Sequence, residues 1–144
     1  MWKTIIRVAG ILLAMLVLVA ASSACVGKPQ PEYADLIMEN ILTSLNEGDY
    51  TRFSERFDET MKGALHEDHF VYLSAEIKSK IGDYVPESKE FFSAEERDEY
   101  IVVRYRTRFS EEAEDVIVTV SFQEIEGEVY VSGLWFMSPS LKSE

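Results

Sequence analysis

Residues 101–109, Ile101-Val102-Val103-Arg104-Tyr105-Arg106-Thr107-Arg108-Phe109, decide the fold class. Ile101, Val103, Tyr105, Thr107 and Phe109 alternate with Val102, Arg104, Arg106 and Arg108. Successive side chains of a strand point to opposite faces, so a period of two predicts a strand. Downstream, Val116, Val118, Val120 and Phe122 alternate with Ile117, Thr119, Ser121 and Gln123. Ile125-Glu126-Gly127-Glu128 then reads as a hairpin turn, with residues 129–137 as the returning strand. Upstream, residues 84–92 read as a further strand, with Pro86 at an edge or bulge because proline cannot donate to a central ladder.

Before Gly82 the period is helical. Tyr33, Leu36, Ile37, Ile41 and Leu45 recur at steps of three and four, and Gly48 closes the run as a C′ residue. Asp49 reads as the N-cap of a short helix carrying Tyr50, Phe53 and Phe57, and Asp58 as the cap of a turn carrying Met61 and Leu65. Phe70, Leu73, Ile77 and Ile81 define another helix, closed by Gly82. Helices first and strands second predict an α+β domain, with N-terminal helices packed on an antiparallel sheet.

The run Leu45-Asn46-Glu47-Gly48-Asp49-Tyr50, followed by Phe53-Ser54, Phe57-Asp58 and Met61-Lys62, resembles the start of the domain of unknown function 3887 family. Val131-Ser132-Gly133-Leu134-Trp135-Phe136 resembles that family's C-terminal strand. The resemblance spans roughly residues 33 to 139. It implies a nuclear transport factor 2-like fold, a curved antiparallel sheet wrapped into a cone around helices, similar to a cystatin-like cone. It also implies an extracytoplasmic setting and pairing through the sheet, and it carries over no set of catalytic residues.

The N-terminus has a different character. Residues 1–24 hold no acid, carry Lys3 and Arg7, and contain an apolar run of 14 residues from Val8 to Ala21. That length suits the h-region of a signal peptide, whereas a membrane span needs about 18 or more residues. Ser22-Ser23-Ala24-Cys25 follows and resembles the cleavage motif of bacterial and archaeal lipoproteins, in which the cysteine becomes the lipidated N-terminus. Ordinary cleavage after Ala24, giving a secreted protein with a free thiol, and an uncleaved anchor are the other readings. The expected organisation is a signal peptide at 1–24, a lipid-anchored tether at 25–32, the α+β domain at 33–139 and a C-terminal tail at 140–144. The expected location is the extracytoplasmic face of the cell membrane.

Composition limits the function. The 144 residues hold 26 acidic against 14 basic side chains, a net charge of −12. Removing Lys3 and Arg7 with the signal makes the remainder more acidic still. No nucleic-acid partner is expected, because phosphate binding needs clustered Lys and Arg. One cysteine and two histidines leave no cysteine-rich zinc site, and no metal or other cofactor is expected. An apolar fraction of 47% is enough to build a core.

Several residues remain as candidates. Asp58 could act as a base at a cone mouth, although an N-cap explains it better. His66 and His69 stand three apart, but the sequence offers no third ligand near them. Tyr105, Phe109, Phe122 and Trp135 either line a ligand cavity inside the cone or fill it. Arg104, Arg106 and Arg108 share one face of a strand. A two-residue turn at Glu126-Gly127 would set Val118 opposite Trp135 and Val120 opposite Gly133, gathering Ile117, Tyr130, Leu134 and Phe136 beside the arginines. An aromatic and arginine-rich face suits a protein interface, for a homodimer or an envelope partner. A three-residue turn would exchange the sides.

The sequence therefore predicts a membrane-anchored, non-catalytic ligand- or protein-binding module with no ligand identified. The rivals are a small isomerase- or dehydratase-like enzyme using a buried acid, and a structural envelope protein.

Overall fold

The computed structural model describes residues 27–142. Four helices come first: α1 (Glu32–Glu47), α2 (Tyr50–Phe53), α3 (Glu59–Ala64) and α4 (Glu67–Ile81). Four strands follow, β1 (Glu90–Arg97), β2 (Tyr100–Thr107), β3 (Val116–Ile125) and β4 (Glu128–Met137), and then a single turn, α5 (Pro139–Lys142). The strands form one antiparallel sheet in the order β1-β2-β3-β4. Among the described residues no helix is long and apolar enough to cross a membrane.

The sequence signals act locally. Helix α1 buries Ala34, Met38, Ile41, Leu42 and Leu45 and ends at Gly48, whose φ of 68° is the left-handed cap conformation. Asp49 accepts a hydrogen bond from the Arg52 N–H at 3.1 Å, and Asp58 accepts one from Met61 at 2.7 Å, each satisfying an orphan donor of a first turn. Helix α4 buries Phe70, Ile77 and Ile81. Glu126 (φ 53°) and Gly127 (φ 83°) form the two-residue turn that pairs Ile125 with Glu128. Positive φ at both central residues matches the twist of the flanking strands.

Three boundaries differ from the sequence reading. The first strand is residues 90–97 rather than 84–92: Tyr84 makes an isolated bridge with Phe109, and the chain turns before Glu90. Residues 93–97, Ser-Ala-Glu-Glu-Arg, lie on a sheet edge where only Ala94 is buried, so they show no apolar alternation. Part of the expected C-terminal tail is helical in α5, where Leu141 packs on the core. The part of the expected tether that is described, residues 27–31, is docked on the domain: Lys28 pairs with Glu96, and the Gln30 amide donates to Tyr105 Oη and Asp35 Oδ1, each at 3.1 Å.

One polar network ties α1 to the segment before β1. The Lys89 ammonium, its side chain only 8% exposed, lies 2.9 Å from Asp35 and 3.0 Å from Glu39. Tyr84 Oη donates to Glu39 at 2.9 Å. The hydrogen bond from Lys89 holds the Asp35 carboxyl below its usual range. Burial alone would lower Lys89, but the two carboxylates outweigh it and hold the ammonium above its ordinary value. The Asp35 contribution is therefore present above the pKa of an unfolded aspartate, about 3.9, and is lost as pH falls through the lower folded value. The Lys89 contribution is complete below about 10.4 and is lost as pH rises through its raised folded value. Asp35→Asn is expected to cost about 0.5–1 kcal/mol at neutral pH, since the half-exposed carboxylate is screened. Urea titrations across the acid range will check this: the gap between wild type and variant should close as the solution is acidified. A gap independent of pH would assign the loss to packing instead.

The decisive irregularity is in β4. From the turn, pairing runs Glu124 to Val129, Gln123 to Tyr130 and Phe122 to Val131, then jumps to Ser121 with Gly133. Ser132 is the extra residue of a β-bulge, and its hydroxyl is buried without a hydrogen-bonding partner. Beyond it the partners are Val120 with Leu134, Thr119 with Trp135 and Val118 with Phe136. A one-residue shift moves every later side chain to the other face.

Candidate interaction surface

The interior of the cone is filled. Tyr105 (0% exposed), Phe109 (3%) and Phe122 (1%) are core residues. Tyr33 meets Phe122 edge-on at 5.1 Å, and Phe109 packs against Tyr84 at 5.9 Å and Phe136 at 6.4 Å. Burial pushes the Tyr105 hydroxyl up to about 12. Trp135 is not inside at all. It is 57% exposed on the opposite face of the sheet, so of the four aromatics that could line or fill the cone, Tyr105, Phe109 and Phe122 fill it and Trp135 does neither. Three hollows lie at the periphery: one of about 290 Å³ beside Tyr33, Tyr100, Phe122 and Glu124, one of about 310 Å³ between the end of α1 and α4, and one of about 450 Å³ between Asp58 and the β3–β4 turn.

The bulge also revises the expected interface. Leu134 and Phe136 stand opposite the buried Val120 and Val118 and pack against the core, so they leave the outer face. Trp135 and Met137 replace them there, 57% and 46% exposed. Arg108 lies past the end of β2, where its backbone bonds to Ser88 and Val85, outside the arginine row.

Four cross-sheet rows build the outer face: Glu90-Arg106-Ile117-Met137, Ser93-Arg104-Thr119-Trp135, Glu95-Val102-Ser121-Gly133 and Arg97-Tyr100-Gln123-Tyr130. The Trp135 ring occupies the space a Cβ on Gly133 would need, with Cη2 only 2.2 Å from that position. The indole therefore lies along the sheet over the glycine. A second bulge, between Phe91 and Ser93, turns Phe92 outward beneath the Arg106 guanidinium, 4.4 Å from the ring centroid. Arg104 bonds Glu95 at 2.6 Å and Arg97 bonds it at 2.9 Å, and both interactions hold that carboxyl below its usual range, Arg104 the more strongly. Arg97, Arg104 and Arg106 thus face Glu90, Glu95 and Glu128, a balanced set on a chain of net charge −12.

The remaining candidates are structurally occupied. The Asp58 carboxylate caps α3. The His66 and His69 rings stack at 4.0 Å with planes 24° apart, so their in-plane lone pairs do not converge on one ion. Among the described residues no group of three or more His, Cys, Asp or Glu side chains is placed to hold a metal. Cys25 lies outside the described residues. The outward places of Phe92 and Met137 were not read from the sequence. The nearest signal for the β4 irregularity is Ser132-Gly133 within an otherwise apolar strand, since an isolated strand glycine often marks a bulge.

A family model described as "Protein of unknown function (DUF3887)" matches residues 39–127. No curated protein matches the sequence. Among solved structures, a SEC-C motif containing protein from Rhodopseudomonas palustris is 13% identical with a TM-score of 0.52, over 71% of this chain and 77% of that one. An Rd1NTF2 variant is 12% identical with a TM-score of 0.50, over 73% of this chain and 96% of that one. An NTF2-like protein of unknown function from Cytophaga hutchinsonii is 14% identical with a TM-score of 0.37, over 76% of this chain and 94% of that one. At these identities the likeness concerns the fold alone, a nuclear transport factor 2-like α+β domain.

Proposed function

Since the chain belongs to the family described as protein of unknown function (DUF3887), a name that assigns no reaction, we propose that it is a non-catalytic binding module docking through the outer sheet face, held by a lipid on Cys25 at the extracytoplasmic membrane surface. The observation that carries the reading is the charge-balanced aromatic face around Trp135. Elsewhere an acidic chain repels its own copies, whereas this face brings three arginines and three glutamates beside exposed Trp135 and Met137. The occupant is a second copy or an envelope protein.

Side chains fill the interior, and the buried polar residues among those described are Ser44, Ser54, Thr107, Ser121 and Ser138. The anchor rests on the order of positive, apolar and small residues ending at Cys25. Intact mass of the membrane fraction tests it, and a mature chain without lipid mass on Cys25 rejects it.

Sedimentation velocity and envelope crosslinking test the face. The full chain should associate, and Trp135→Ser should weaken association by about 30-fold, the equivalent of a 2 kcal/mol hot spot. The indole is more than half exposed, so circular dichroism of that variant should stay that of the wild type. Association unaffected by Trp135→Ser, or a wild type that is monomeric and crosslinks to nothing, would reject this face.

A further inference from the structure

We propose that the bulged edge of β1, through Phe91 and Phe92, is a lipid-contact surface that lays the domain against the bilayer beside its anchor; this rests on the reading of Cys25 as lipidated. The docked N-terminal segment supplies the geometry. A Cβ on Gly27 would stand 3.7 Å from the Ala94 carbonyl oxygen, so the chain reaches the domain at the middle of β1. Cys25 is two residues earlier, and two residues span at most about 7 Å. Phe92 lies two residues from Ala94 on the same strand, again about 7 Å. An acylated Cys25 therefore brings the headgroup layer to this edge. A second protein could not fit between the edge and the lipid, because two residues cannot open such a gap.

The chemistry of the edge fits a headgroup layer. Phe91 and Phe92 are 38% and 47% exposed and adjacent, turned to the two faces of the strand by the bulge. Aromatic side chains at an interface bury their rings at the acyl boundary. Arg106 lies over Phe92 with Glu90 as its cross-strand neighbour, and among the described residues no carboxylate is bonded to it, which leaves its guanidinium able to meet a lipid phosphate. Of the neighbouring acids, Glu96 pairs with Lys28, Glu95 pairs with Arg97 and Arg104, and Glu90 stands across from Arg106. The rest of this acidic chain is repelled by an anionic surface, which favours this edge as the side facing lipid. Trp135 lies three strands away, about 14 Å, and stays free for the partner proposed above.

The test uses the full lipidated chain in phosphatidylcholine vesicles containing brominated lipid. A nitrobenzoxadiazole reporter goes on Glu90→Cys, with a control on Tyr72→Cys, exposed on α4. Emission at position 90 should be blue-shifted and quenched several-fold more than at 72, and Phe92→Ser should remove most of that difference. Among the described residues the ring of Phe92 meets only Arg106 in ring and ion contacts, so this variant should keep its fold. Equal quenching at 90 and 72, with lipid mass present on Cys25, would overturn the contact while leaving the anchor intact. Quenching unchanged by Phe92→Ser would overturn the role of the bulge. Absence of lipid mass would overturn the anchor and this surface together.

Discussion

Phe53→Ala is expected to lower stability by about 3–5 kcal/mol, the usual cost of deleting a buried aromatic ring and leaving a cavity. Phe53 is fully buried at the end of a four-residue helix too short to hold itself together. Its ring meets Phe57 edge-on at 5.2 Å and Phe70 at 4.6 Å, joining α2 to α4 and to the segment that lies along β4. There Phe57 bridges Val131, Val131 N–H donates to the Arg56 carbonyl, and Asp58 N–H donates to the Val131 carbonyl. Losing Phe53 therefore loosens the clamp beside the Ser132 bulge as well as the helical layer. Domains of this size have about 5–15 kcal/mol in total, so the variant should sit close to unfolding at ambient temperature. Urea titration followed by circular dichroism measures the loss. A cost below about 1 kcal/mol would mean that the ring is not part of a tight core.

What the sequence made legible follows how local each feature is. The caps at Asp49 and Asp58, the glycine ends at Gly48 and Gly82 and the turn at Glu126-Gly127 each depend on a few consecutive residues, and each stands where the pattern put it. The strand from Ile101 was legible because its inner face is buried by helices and its outer face is not. The first strand was misplaced because an edge with one buried residue has no pattern to read. The functional face failed at one residue. Counting from the turn gives the right partners as far as Val131, and the bulge at Ser132 then exchanges Leu134 and Phe136 for Trp135 and Met137. That bulge answers to a distant segment, residues 56–58, whose backbone bonds to Val131. A tertiary contact of this kind leaves no period in the strand itself. Whether the cone aromatics line or fill it was equally non-local, since the answer depends on how closely α1 and its Tyr33 approach Phe122.

Gly82→Ala should be the costliest single methyl in the described chain, at about 2–6 kcal/mol. Gly82 closes α4 at φ 80° and ψ −155°, a region open essentially to glycine alone, and an alanine held there carries about 1–3 kcal/mol of strain. The added Cβ would also lie 2.2 Å from Ser110 Oγ, 2.8 Å from Glu111 Cγ and 2.9 Å from the Glu111 backbone nitrogen. Overpacking of this kind costs a further 1–3 kcal/mol, roughly. The serine hydroxyl can rotate away only by giving up the hydrogen bond it accepts from Asp83 N–H at 3.0 Å. The Glu111 nitrogen cannot retreat without breaking its bond to the Ile81 carbonyl at 2.9 Å. These bonds fix the loop after β2 against the end of α4, so the variant should loosen the helical layer from the sheet. Thermal and urea melts of Gly82→Ala alone and combined with Ser110→Ala separate the two causes. The double variant should recover only part of the loss, because the strain and the backbone contact remain. Full recovery would place the whole effect on the serine hydroxyl and refute the claim that the backbone at position 82 demands glycine.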